Sequence, residues 1–158
     1  MTLEESDRIA ERKEALYREI YAPFLAPLDG LIPLLDHLKT AGIRCALGTM
    51  GNRDNTQFVL DGLGLHTYMH AVTTAEEVRR GKPHPEVFLL SKEKAMPGAV
   101  LTTQEFWVFE DTSSGVAAGV AAGATVLGMR TSKTHDELSA HGAALTFKDF
   151  TEVLKSIG

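Results

Sequence analysis

The chain opens with two stretches in which apolar residues recur with the period of an α-helix. The first starts at a capping box formed by Thr2 and Glu5 and runs as far as Pro23. The second covers residues 31–38 and closes at Gly42, a residue type suited to a helix C-terminus. Each pattern predicts a helix with one apolar face and one polar face.

Beyond Gly42, short apolar runs alternate with stretches of helical period. The runs that predict strands are residues 43–47, 70–73, 106–109 and 125–128. The stretches that predict helices are residues 57–63, 85–95, 114–122 and 149–157. Strands separated by helices of this length pair in parallel, with helices on both faces of the sheet. The sequence therefore predicts an α/β, Rossmann-like fold, whose ligands bind beyond the carboxyl ends of the strands.

Composition narrows the class of partner. The 158 residues suit one hydrophobic core, and the net charge of −5 argues against a nucleic-acid partner, so we expect a small-molecule substrate. The single cysteine, Cys45, allows no intrachain disulfide and is compatible with a reducing compartment. No apolar run approaches the ~18 residues of a membrane span, and the first residues are acidic and polar, unlike a signal peptide. These features predict a cytoplasmic protein without a membrane partner.

The first predicted strand is followed by a loop that could bind phosphate. Thr49 offers a hydroxyl, and the successive N–H groups of Met50, Gly51 and Asn52 precede a helix, an arrangement that can cradle a phosphate oxygen. An ordinary turn explains the same residues equally simply.

Two further loops carry charged residues that could bind a phosphoryl group or a metal ion. Lys82 lies between turn-forming residues just before a helix, where its ammonium could act on a phosphoryl group; a solvated lysine is the alternative. Glu110 and Asp111 end an apolar strand, and paired carboxylates there are costly unless a cation binds them. Mg²⁺ fits better than zinc, which would call for Cys or His, while helix capping by Asp111 is the alternative.

The order and spacing of these elements resemble a known family. The segments GLIPLLDHLKTAGIRCALGTMGN, VTTAEEVRRGKPHPEVFLL and VFEDTSSGVAAGVAAGATVLGM resemble the haloacid-dehalogenase-like (HAD) superfamily, in the branch of β-phosphoglucomutase and phosphoglycolate-phosphatase-like enzymes. The resemblance covers residues 27–129 and implies a three-layer core with a parallel sheet. It also implies that Thr49 binds phosphate, that Lys82 acts with it in catalysis, and that Glu110 and Asp111 are the magnesium ligands.

One element of the family pattern is absent from the sequence. Members of the family begin with a strand that ends in Asp-x-Asp-Gly-Thr, where the first Asp attacks phosphorus and the second is the general acid and base. No such element precedes Thr49, and at Leu28-Asp29-Gly30 the nucleophile's place is taken by Pro27. The resemblance therefore implies a remnant of the helical cap in residues 1–26. It implies that residues 27–158 form a core without its first strand, which would lie between the strands ending at Thr49 and Asp111.

The resemblance implies a magnesium-dependent phosphatase or phosphomutase that acts on a small phosphorylated metabolite, most naturally a sugar phosphate. Because the nucleophilic aspartate is absent, we expect this chain alone to be inactive. It could be a truncated form or a mis-started gene product, or it could borrow a strand from a partner or a second copy. The alternative function is a non-catalytic phosphate-binding or interaction protein derived from the same fold.

Overall fold

The computed structural model describes residues 2–157, apart from the side chains of Leu3, Glu4 and Asp7. The helices are α1 (Leu3–Tyr21), α2 (Leu31–Thr40), α3 (Arg53–Leu63), α4 (Glu86–Ala95), α5 (Ser113–Ala121), α6 (His135–Ala140) and α7 (Phe150–Ile157). The strands are β1 (Cys45–Gly48), β2 (Met69–Thr73), β3 (Trp107–Glu110), β4 (Thr125–Met129) and β5 (Leu145–Phe147). Short 3₁₀ turns cover Ala22–Phe24 and Ala75–Glu77.

All strand pairs are parallel, which confirms the predicted α/β class. The strands form two sheets, with orders β1-β2 and β3-β4-β5. Within the described residues, β1 therefore pairs with β2 alone and β3 pairs with β4 alone. Each of these two strands has one edge whose backbone N–H and C=O groups lack a strand partner in this part of the chain.

Two helices hold the sheets together from opposite faces. On one face, α2 contributes Leu34 to a core with β4, β5 and α7, and Leu35 to a core with β1, β2 and α3. On the other face, α4 packs against β1 and β2 and also contributes Val87 and Phe88 to the core of β3, β4, α5 and α6. The result is the predicted three-layer arrangement of helices, strands and helices.

Helix α1 lies at the margin of this core. Its predicted capping box is present, with the Thr2 hydroxyl accepting from the Glu5 N–H at 3.2 Å. It is attached to α3 by a hydrogen bond of 2.8 Å from the Arg18 guanidinium to the Asn55 side chain. Its outer apolar face is exposed, including Ile9 and Ile20 at 61% and 60%. The division of the chain at residue 26 stays a prediction.

The described residues contain no helix with the length and apolar character that crossing a bilayer requires.

The structure contains two elements that the apolar pattern did not predict, α6 and β5. Helix α6 buries only Leu138 and begins at a capping box formed by Thr134 and Glu137. Hydrogen bonds from the Thr134 backbone, the Lys133 side chain and the Thr134 side chain lower the pKa of the Glu137 carboxyl to about 2. Strand β5 has three residues, too few for a periodic signal. Helix α3 also begins four residues before the predicted start at residue 57, because Asn52 caps it.

The sequence Leu28-Asp29-Gly30 forms the turn that leads into α2. Gly30 has a left-handed backbone (φ 81°), and a side chain there would collide with the backbone of Thr151 at the start of α7. The Asp29 carbonyl accepts a hydrogen bond from the Phe150 N–H at 2.9 Å. This segment is thus a turn that connects α2 to α7 and is not the end of a strand.

Candidate active site

The loop after β1 leads from Thr49 to the N-terminus of α3. The Thr49 hydroxyl accepts a hydrogen bond from the Gly51 N–H at 2.9 Å, so its own proton remains free to donate. The Asn52 side chain accepts from the Asn55 N–H at 2.8 Å and caps α3. Because that side chain is engaged in capping, Asn52 could contact an anion through its backbone. The loop itself is fixed to the next strand end, where Gly51 O accepts from Ala75 N at 3.2 Å.

Lys82 and Glu110 form a buried ion pair. The Lys82 ammonium donates to Glu110 Oε1, and the two side chains are 14% and 7% exposed. The ammonium also lies over the Phe88 ring, 4.6 Å from its centroid. A lysine with a carboxylate on one side and an aromatic face on the other has few alternative positions. Its charge is therefore held at the carboxyl end of β3.

The second oxygen of Glu110 is fully occupied as well. Glu110 Oε2 accepts from the N–H groups of Asp111 and Thr112 at 3.0 and 3.2 Å, and from the Thr112 hydroxyl at 3.0 Å. Gly115 of α5 allows this arrangement, because a Cβ there would coincide with the Glu110 carboxylate. The buried carboxylate is thus satisfied by one cation and three donors.

Asp111 has the freer carboxylate of the pair. Within the described residues, its Oδ2 accepts from the Thr131 hydroxyl at 2.7 Å, and no donor reaches Oδ1. Sequence reasoning missed Thr131, although a hydroxyl just beyond the carboxyl end of β4 was a usable signal. In the same part of the chain, no three His, Cys, Asp or Glu side chains group together as metal ligands.

This donor set fits magnesium, which binds proteins through one or two carboxylates and completes its shell with water and phosphate oxygens. Asp111 could bind such an ion without rearrangement. Glu110 would have to share an oxygen that already bonds Lys82 or the Thr112 loop. The two carboxylates, both predicted as magnesium ligands, therefore differ in availability.

The three predicted loops are in contact at one edge of the molecule. A Cβ at Gly81 would lie 3.0 Å from the Met50 methyl group, which places the lysine-bearing segment against the Thr49 loop. Lys82 in turn reaches Glu110. A cleft of about 340 Å³ opens beside Thr49, between α1 and α3, with Glu14 and Tyr17 on its far wall.

Comparisons with known proteins identify the family of the chain. A family model described as haloacid dehalogenase-like hydrolase matches residues 2–123. The chain is 39% identical over 103 residues to hexitol phosphatase A from Escherichia coli, covering 65% of this chain and 45% of that protein. It is 32% identical over 131 residues to validoxylamine A 7'-phosphate phosphatase from Streptomyces hygroscopicus, covering 83% of this chain and 59% of that protein.

A solved structure shows the same fold. The β-phosphoglucomutase from Clostridium difficile superposes with a TM-score of 0.82 at 25% identity, covering 99% of this chain and 67% of that one. The chain thus spans 45% and 59% of the two curated relatives' lengths. Because the family model covers most of the sequence and the fold agrees, the chain belongs to the haloacid dehalogenase-like hydrolase family.

Proposed function

We propose that the chain carries the phosphate-binding and charge-neutralising part of a site for phosphoryl transfer from a small phosphorylated metabolite to water or another hydroxyl. The observation that carries the proposal is the buried Lys82–Glu110 pair at the carboxyl end of β3, next to the Thr49 loop. A fixed positive charge at this edge stabilises the charge on a transferring phosphoryl group. The names of the relatives, hexitol phosphatase A and β-phosphoglucomutase, support a sugar phosphate as the substrate class.

Each loop has a distinct role in the proposal. The Thr49 hydroxyl and the N–H groups of Met50 and Asn52 orient the phosphate at the start of α3, where the helix dipole favours an anion. The Gly51 N–H, which donates to the Thr49 hydroxyl, joins them only by leaving that bond for the phosphate. Lys82 balances its charge. The Thr49 loop therefore binds the phosphate of the substrate and also aligns it for attack.

We propose that Asp111 binds Mg²⁺ directly and that Glu110 lies beside the ion. Magnesium, when bound, supplies positive charge to the phosphoryl oxygens.

We expect Asp111→Asn to weaken magnesium binding by at least about tenfold, because even outer partners of a metal site change affinity that much. Calorimetric titration of the purified chain with MgCl₂ measures this. Asp136→Asn on exposed α6 makes the same charge change and should leave affinity unaltered; equal losses in both variants would contradict the assignment.

Thr49 and Lys82 are proposed to bind one phosphate together. Titration of the ¹⁵N-labelled chain with inorganic phosphate should shift the amide signals of residues 49–52 and of Lys82 along one binding curve. Lys82→Met should weaken binding by about tenfold, the contribution of a hydrogen bond to a charged group. Lys94→Met removes a surface lysine of α4 and serves as the control. Shifts confined to another part of the chain would contradict the shared site.

The chain's own residues provide no nucleophile for this reaction in our proposal. Glu110 is bonded to Lys82 and to the Thr112 loop, and Asp111 is assigned to the metal. A parallel strand placed between the free edges of β1 and β3 would emerge between Thr49 and Asp111. We propose that an aspartate-bearing strand in that position, from the same polypeptide or a partner, completes the site.

A second candidate function is a non-catalytic phosphate-binding or interaction protein. The observation that favours it is the lack of an Asp-x-Asp-Gly element in the sequence. The genomic DNA just upstream of Met1 discriminates the two: an in-frame Asp-x-Asp-Gly element there supports the enzyme, and its absence supports the binding protein.

A further inference from the structure

The segment that carries Lys82 is attached to α4 by a side chain that the proposed phosphate and metal contacts do not use. Glu86 is the first residue of α4, and its carboxylate is half-buried. Glu86 Oε1 accepts from the Arg79 N–H at 3.0 Å, and Oε2 accepts from the Arg80 N–H at 3.1 Å. Both oxygens of one carboxylate are thus used to fix two successive peptide groups.

These peptide groups have no partner from a helix or strand, because Arg79 and Arg80 lie outside both. Hydrogen bonds to an ionised carboxylate are stronger than bonds between neutral groups. The bonds from the Arg79 amide and then from the Arg80 amide hold the pKa of the Glu86 carboxyl below its usual value, so it stays ionised at neutral pH. The segment is therefore fastened to the helix by charge-assisted bonds.

The turn between this segment and α4 is closed by further contacts. Gly81 O accepts from the His84 N–H at 3.0 Å, and His84 Nδ1 accepts from the Glu86 N–H at 3.3 Å. Two residues after Glu86, Phe88 of α4 lies beneath the Lys82 ammonium. Helix α4 thus fixes the backbone before Lys82 through Glu86 and contacts the end of the lysine side chain through Phe88.

We infer that Glu86 is a positioning residue, whose carboxylate clamps the Arg79 and Arg80 amides and thereby holds the Lys82 ammonium against Glu110. A lysine side chain has four flexible carbons, so the place of its charge depends on where its backbone is held. What Lys82 does with a phosphate rests on the proposed function. The clamp itself can be measured without any ligand.

The test is the rate at which Lys82 reacts with an amine-acetylating reagent, resolved from other lysines by peptide mass spectrometry. In the ligand-free wild-type chain, Lys82 should react slowly because it is largely buried and paired. Glu86→Ala should raise its rate by about tenfold, because both charge-assisted bonds are lost. Glu86→Gln keeps one acceptor oxygen and should give an intermediate rate. Lys94, which pairs with Glu77 and lies in the last turn of α4, is the internal reference and should not change.

Glu93→Ala is the matched control. Glu93 also lies on α4 and accepts from a backbone amide, that of Gly98 at 3.1 and 3.3 Å, but at the far end of the helix. An unchanged Lys82 rate in Glu86→Ala would overturn the inference, as would an equal rise at all lysines or the same rise in Glu93→Ala. A separate arm adds inorganic phosphate to the wild-type chain. Failure of phosphate to protect Lys82 would contradict the proposed phosphate site, while the ligand-free comparison still decides the clamp.

Discussion

Replacing Lys82 by alanine is expected to lower the free energy of unfolding by about 3 kcal/mol or more, the usual cost of leaving one member of a buried ion pair without its partner. The Glu110 side chain is buried and would lose the cation that it faces. The variant also loses the contact of the lysine stem with the Phe88 ring. Urea unfolding followed by circular dichroism measures the change.

The matched control for this prediction is Lys94→Ala. Lys94 also pairs with a glutamate, Glu77, but both side chains are about a third exposed. A pair of this kind contributes less than about 1 kcal/mol. A double variant, Lys82→Met with Glu110→Gln, removes both charges and should recover much of the loss. Equal, small effects of Lys82→Ala and Lys94→Ala would contradict the importance of the buried pair.

Replacing Gly115 by alanine is expected to destabilise the chain by up to about 3 kcal/mol, although alanine is normally the better helix former. The added Cβ would occupy the position of the Glu110 carboxylate. To make room, Glu110 must leave the donors of the Thr112 loop and carry Lys82 with it. Thermal unfolding measures the loss, and Lys82 acetylation should rise in the same variant.

Gly62→Ala is the control for this substitution. Gly62 also lies within a helix, α3, and a Cβ there would meet the end of the Leu25 side chain. A flexible side-chain end can rotate away, so we expect a change of less than about 1 kcal/mol. If Gly115→Ala were as stable as the wild type, the close packing of α5 on Glu110 would not be a requirement of the fold.

Much of the fold could be predicted because its strands are short apolar runs that end in polar loops. The parallel pairing follows from the alternation of strands with helices, and the start of α1 follows from its capping box. Helix α6 and β5 could not be predicted in this way, since their stretch of chain buries little besides Leu138 and Phe147. Local hydrogen bonds of the Thr134 capping box define α6 instead.

The candidate site was predictable in its residue types but not in its contacts. Glu110 and Asp111 are adjacent in sequence and looked equivalent as metal ligands. The structure shows that their contacts differ, because Lys82, which is 28 residues away in the sequence, pairs with Glu110. The contacts of Glu86 could not be predicted either, since a glutamate is common at the start of a helix because it interacts favourably with the helix dipole. Both sets of contacts depend on how the loops fold against the helices and strands, which the apolar pattern does not encode.

The separation into two sheets also has a consequence for function. Strands β1 and β3 carry the Thr49 loop and the Glu110–Asp111 pair, and each has a free edge within the described residues. In the proposed function, the loops at these two edges bind a phosphate and neutralise its charge. Attack on phosphorus needs a further group placed between them and in line with the leaving group.

The most direct measurement is therefore a phosphatase assay of the purified chain in magnesium, with p-nitrophenyl phosphate and a panel of sugar phosphates. It is compared with the same chain extended at its front by a family-like cap and a strand ending in Asp-x-Asp-Gly. A matched extension in which the first Asp is Asn is the control. We predict no turnover above background for the unextended chain and for the control. For the Asp-bearing extension we predict a rate at least about a hundredfold higher, in the range expected for a positioned acid-base and nucleophilic group. Robust turnover by the unextended chain that disappears on Asp111→Asn would contradict the proposal, because another residue of this chain would then be the nucleophile.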